Sequence, residues 1–236
     1  MPNLINSGID YFFHEGKENL EDCLRPSFEA AVRRNVRKLV IFTGIGEGPR
    51  IAIEKFRSQD CFADIKIIAV TFPCGQRFKE DKSVQREINR QDRQFFADNQ
   101  VPILRAHLPF NPIAAHHRHH GLLGQDLTLI GNALSILCGS LPLCVQAALI
   151  ACDAGEVEQG EHVIALTSDT AILVRSSPTE RLLTDFVIRE IICKPMSLTV
   201  SKREERLSGA VTQLTLEGTL EPLSKSSEDG LAAPTE

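Results

Sequence analysis

The chain has 236 residues, of which 42% are hydrophobic and 24% charged, and 26 Lys and Arg against 31 Asp and Glu leave a formal net charge of -5. This composition belongs to ordinary globular proteins and excludes collagen-like, disulfide-scaffold and wholly disordered chains. A calculated isoelectric point near 5.8 provides no general basic field, which argues against broad binding to nucleic acid or acidic membranes.

Seven cysteines form no CxxC pair or other zinc-ligand spacing, so reduced thiols in a cytoplasmic protein are expected. The first residues have neither a basic nor a long apolar segment, which predicts no secretory signal. The most apolar stretch, 141–154, is broken by Pro142 and Gln146 and is shorter than the roughly 20 residues of a membrane span. It reads as a buried helix.

In chain order, residues 20–35 place Leu20, Leu24, Phe28 and Ala31 or Val32 near helical spacing, with Asn19 in position to cap. Residues 38–43 form a short apolar run closed by glycines, the pattern of a buried parallel strand. A helix over 49–57, starting at Pro49 and carrying Ile51, Ile53 and Phe56, leads to a second strand at 65–71, a right-handed β-α-β unit. A polar helix is expected over 83–99 and a third strand over 101–105, followed by an irregular connection rich in proline and histidine. Residues 125–138 and 141–154 read as helices, 162–167 and 170–174 as strands, and 186–193 as the last core element. The expected fold class is α/β, one three-layer α/β/α sandwich with a mainly parallel sheet over 1–200. An extension over 201–236 follows, with an alternating stretch at 211–216 as an edge strand and no stable structure after Glu221.

The sharpest local feature is Thr43-Gly44-Ile45-Gly46-Glu47-Gly48-Pro49-Arg50, placed where a strand end turns into a helix. Glycines let the backbone approach an anion, Thr43 offers a hydroxyl and a helix N-terminus favours negative charge, so a phosphate would fit. Arg50 opposes the helix dipole and is better explained beside a bound anion, whereas Glu47 could itself occupy the anion position. The alternative is a tight connection whose glycines only relieve strain. Pro49 at the third-glycine position and no acidic residue after Val70-Thr71 argue against a nicotinamide fingerprint.

The second strand end, Thr71-Phe72-Pro73-Cys74-Gly75-Gln76-Arg77, brings a thiol near the same rim. Cys74 is a weak candidate nucleophile because no paired histidine can be assigned. The run His116-His117-Arg118-His119-His120 could hold a metal on a helix, but amid prolines and glycine it reads as a solvated loop, and no metal is expected. Asp153 before Gly155 reads as part of a helix end, and Ser168-Asp169-Thr170 as a turn or as part of the rim.

In this order, Glu15-Gly16-Lys17-Glu18-Asn19, Thr43-Gly44, Val70-Thr71-Phe72-Pro73-Cys74-Gly75, Ala151-Cys152-Asp153-Ala154-Gly155, Asp169-Thr170-Ala171 and Ile188-Arg189-Glu190-Ile191-Ile192-Cys193-Lys194-Pro195 form a set. That set, over about residues 11–195, resembles free-standing members of the pyruvate kinase C-terminal domain-like family. The resemblance implies a nucleotide or other phosphorylated small molecule at the first glycine turn, with FMN as a candidate. Thr43, Gly44, Gly46 and Gly48 would hold it, with Thr71, Gly75 and Asp169 and its neighbour Thr170 further along the rim. The family's Ser/Thr-Gly-x-Thr-Ala turn is replaced here, and the glycine-rich segment before Asp-Thr-Ala is contracted to Leu166-Thr167-Ser168. Pyruvate kinase activity is not expected, since it belongs to a separate barrel domain. The expected function is a ligand-binding or regulatory protein. The alternatives are a flavin-dependent or Cys-dependent enzyme, and a homo-oligomeric assembly module that buries helix 141–154 and strand 211–216 between copies.

Overall fold

Apolar runs of five or six residues, bounded by glycine and polar turns, satisfy their backbone groups by pairing with one another. In the computed structural model, which describes residues 8–75, 87–110 and 125–196, these runs form the middle of a seven-stranded sheet. The elements are β1 (Asp10–Phe12), α1 (Leu20–Arg33), β2 (Lys38–Phe42), α2 (Glu47–Ile51, continued in π-helical form over Ala52–Arg57), β3 (Lys66–Thr71), α3 (Arg90–Asp98) and β4 (Ile103–Arg105). They continue as α4 (Gln125–Ser135), α5 (Leu141–Asp153), β5 (His162–Leu166), β6 (Ala171–Arg175), α6 (Leu182–Asp185) and β7 (Val187–Pro195).

The strands lie in the order β1-β7-β6-β5-β2-β3-β4. Every neighbouring pair is parallel except those of β6, which runs antiparallel to both β5 and β7. The fold is therefore α/β with a mixed, mostly parallel sheet.

Alternation along the strands divides the core in two. Leu39, Ile41, Ile67, Ala69, Ile164 and Leu166 face α1, α2 and α3, and Val40, Phe42, Ile68, Val70, Val163 and Ala165 face α4 and α5. Burying each large side chain is worth about 1.5–3 kcal/mol, which is why runs apolar on both faces demand two helical layers. Helix α5 is buried almost all round, and the amide oxygen of its Gln146 accepts from the Phe110 N–H at 2.8 Å. Helix 141–154 spends this apolar surface on the sheet of its own chain.

Several boundaries differ from expectation for identifiable reasons. Ala31 is buried while Val32 is 52% exposed, and the Asn19 amide donates to the His14 carbonyl at 2.7 Å and does not cap α1. Helix α2 begins at Glu47, so Pro49 occupies its third position, where a missing N–H still costs nothing. Helix α3 begins at Arg90, capped by Asn89, whose side chain accepts from the Asp92 N–H; helix α4 ends at Ser135. Residues 83–86 of the expected polar helix lie outside the described residues, as do strand 211–216 and the tail. Strand β1 was not expected: three residues carry no periodicity and are defined by their register with Cys193 to Pro195. All described residues fall within one compact unit, Met1–Leu198. Among them, no helix is long and apolar enough to cross a membrane.

Helices α1, α3 and α5 end in the same double hydrogen bond, with the residue after the cap in left-handed conformation. In α5 this is Gly155 (φ 77°), with Gly155 N–H donating to Cys152 and Glu156 N–H to Ala151. In α1 and α3 the position is held by Asn35 (φ 53°) and Gln100 (φ 56°), each leading at once into the next strand. A Cβ is strained there, so Gln100→Gly should raise stability by about 0.5–1 kcal/mol after the added chain entropy of glycine is deducted. Urea unfolding of the two proteins checks this, and a loss of stability would remove strain as the controlling factor at this turn.

Candidate functional site

From β2 the chain moves outward to β3, and from the adjacent parallel strand β5 it moves the other way to β6. Two neighbouring strands whose continuations diverge mark a topological switch point, and the region beyond their carboxyl ends is the usual ligand position in such sheets. That edge holds residues 43–48 after β2, 71–75 after β3, Arg105 at the end of β4, and 167–170 between β5 and β6.

The three glycines after β2 have different reasons to be glycine. Gly46 has φ 101° and accepts no Cβ without one lying 3.2 Å from the Phe96 ring, while a Cβ on Gly48 would stand 2.9 Å from Ile41 Cγ2. Both are explained by turning and by packing α2 against β2. Gly44 has neither constraint, with nothing within 4 Å of its Cβ position. It is the glycine that leaves open space at the rim.

Around it, buried Thr43 accepts the Gly46 N–H on its hydroxyl at 2.9 Å, and Thr71 donates its hydroxyl to the Gly44 carbonyl at 3.4 Å. Ile45 and Glu47 are exposed. Arg50 turns away to α3, where it pairs with Asp92 and Glu54 and lies over the Phe95 ring at 4.5 Å. Those carboxylates, Asp92 first, hold its pKa above the ordinary arginine value. They also account for a cation in this first turn, so a bound anion is not needed to explain it.

Asp169 and Thr170 face inward. The Asp169 carboxylate, 3% exposed, accepts from the Gly16 N–H at 3.1 Å, the Thr170 hydroxyl at 3.1 Å and the Thr167 hydroxyl at 3.4 Å. Those bonds fasten the loop after β1 to the β5–β6 turn. Asp153 likewise binds the backbone N–H of Thr179 at 2.9 Å and its hydroxyl at 2.5 Å, tying the end of α5 to the chain after β6.

Cys74 and Gly75 are exposed, and the Cys74 thiol and Gly75 N–H donate to the same Glu87 oxygen at 3.5 and 3.1 Å. The partner of Cys74 is thus a carboxylate, which does not serve it as an imidazole base would. Gln76, Arg77 and the histidine run lie outside the described residues. Among the described residues, no group of three or more His, Cys, Asp and Glu is placed to hold a metal ion.

One residue of this edge was not read from the sequence. Arg105 pairs in register with Thr71, and alternation places it on the Ile103 side of the sheet, the side of Thr43, Thr71 and the start of α2. Its Nη2 is buried without a hydrogen-bond partner, and its Nη1 lies 3.9 Å from Glu87, long for an ion pair. The available signal was a cation ending an apolar strand. A cleft of about 570 Å³ at the amino ends of β2 and β3 has two of its three lining cations engaged, Lys38 with Glu161 and Arg57 with Asn99. No family model matches the chain.

The glycine distinction is testable by thermal unfolding. Gly48→Ala should cost about 1–3 kcal/mol by overpacking, and Gly44→Ala should stay within about 0.5 kcal/mol. Equal losses would show that both glycines are packing residues.

The hydrogen bonds from Gly75 and then Cys74 hold the Glu87 pKa below its ordinary value, so this tie is intact at neutral pH and is lost as pH falls through the depressed pKa. A carbon NMR titration should give a midpoint below that of an unperturbed glutamate, with the Gly75 amide moving in step. A midpoint at or above the ordinary value would refute the tie.

Proposed function

We propose that this protein is a ligand-binding or regulatory relative of the pyruvate kinase C-terminal domain-like family that holds a phosphorylated small molecule at the carboxyl edge of its sheet. The observation that carries the reading is the buried, unpartnered Nη2 of Arg105 on the same face as Thr43 and Thr71. A buried guanidinium N–H without an acceptor is costly, and an anionic oxygen is the partner that removes the cost. Two strand spacings, about 10 Å, separate Arg105 from Gly44, room for a phosphate at one end and the rest of a small molecule over the open glycine.

At the Gly44 end, the Glu47 and Gly48 amides at the start of α2 are the further donors, because a first-turn N–H has no partner within its helix. The donor set fits a phosphate group. FMN is the cofactor candidate, and exposed Ile45 offers its ring apolar contact. Flavin chemistry, if this cofactor is bound, would be redox chemistry; the residues described supply binding and orientation.

The test uses freshly purified protein. A spectrum from 300 to 550 nm and mass spectrometry of heat-released material identify a resident ligand, and calorimetric titration with FMN and with pyrophosphate measures exchangeable binding. Arg105→Met should weaken whichever of these binds by about 10- to 100-fold, the loss expected for one charge-assisted hydrogen bond. It should also raise the melting temperature of the ligand-free protein by removing a buried N–H that has no acceptor. Unchanged affinity, or no phosphorylated ligand by any of these measurements, would overturn the reading.

A further inference from the structure

Two thiols far apart in sequence meet beneath the β5–β6 turn. Cys23, in the first turn of α1, and Cys193, in β7, are both 0% exposed, and their sulfur atoms lie 3.4 Å apart across 170 residues of chain. Cys23 also faces the Thr167 carbonyl at 3.6 Å, and Cys193 is in register with Asp10 of β1 and Ala171 of β6. Cys138 and Cys144 are engaged elsewhere, with the hydroxyl and carbonyl of Thr170.

We propose that Cys23 and Cys193 form an oxidation site that closes reversibly into a disulfide, fastening α1 to β7. A disulfide is about 2.05 Å long, so the sulfurs must approach by about 1.4 Å, which rotation about the Cα–Cβ bonds of the two side chains can supply. The oxidant is a hydroperoxide. One thiolate attacks its O–O bond and becomes a sulfenic acid as water or an alcohol leaves. The second thiol then displaces water from the sulfenic sulfur, so that two electrons pass from the thiols to the peroxide. A dithiol reverses the step by exchange.

Access and rate both follow from the fold. Strand β1, three residues at the sheet edge that include 49% exposed Tyr11 and precede 54% exposed Phe13, is the backbone neighbour of β7 at Cys193, so fraying of this edge is the local opening through which peroxide approaches the pair. Burial pushes the Cys23 thiol well above its ordinary pKa, which keeps the pair reduced longer than the exposed Cys61 and Cys74.

The experiment alkylates Cys61 and Cys74 in the folded protein, then exposes it to hydrogen peroxide, unfolds it and labels every remaining thiol with a second reagent before peptide mass spectrometry. The expected result is a linked Cys23–Cys193 peptide, about 2 Da lighter than the sum of its reduced halves, with the second label on Cys138, Cys144 and Cys152, and full labelling of all five after dithiothreitol. Second labels on Cys23 and Cys193 without dithiothreitol, or their recovery as sulfinic acids or in bridges to other cysteines, would overturn the proposal.

Discussion

The structure depends on strands that are apolar on both faces. Residues such as Leu39 to Ile41 and Ile67 to Val70 leave no side of β2 or β3 that water can cover, so each strand must sit inside a sheet with helices above and below. Polar chemistry is thereby driven to the strand ends. Thr43, Thr71, Thr167 and Arg105 are consequences of that rule: each is the first polar residue at or just past a strand's carboxyl end.

Among the described strands, the one that runs antiparallel, β6, decides how this edge is used. Because β6 returns directly from β5, the short turn 167–170 stands among the carboxyl ends of the parallel strands, and its Asp169 can reach the Gly16 amide. The side of the edge near β6 is therefore tied shut by buried hydrogen bonds and thiols. The side near β3 and β4 retains an open glycine and an unsatisfied guanidinium. The ligand proposed above would lie on that open side, between β2 and β4, with Asp169 and Thr170 in support of the rim.

Several sequence features have structural explanations once their neighbours are known. Arg50 in the first turn of α2 is held by Asp92 of α3, 42 residues away, and Gly46 by the Phe96 ring of the same helix. A pattern that resembles an anion loop is thus partly a helix-packing joint, with Gly44 as the member that packing does not explain.

The sequence by itself determined the α/β class, strands placed at 38–43, 65–71, 162–167 and 170–174 to within a residue of their observed ends, the buried helix read at 141–154 and the glycine stop at Gly155, because each is written in local periodicity or a backbone requirement. It also located the edge on which Thr43 and Gly44 stand. Tertiary structure decided what periodicity cannot carry: the three-residue strand β1, the antiparallel course of β6, the partners of Arg50 and Asp169, the meeting of Cys23 with Cys193, and the orphan nitrogen of Arg105. Each depends on contacts between distant segments, and a charge is paired or unpaired only when the fold fixes what lies beside it.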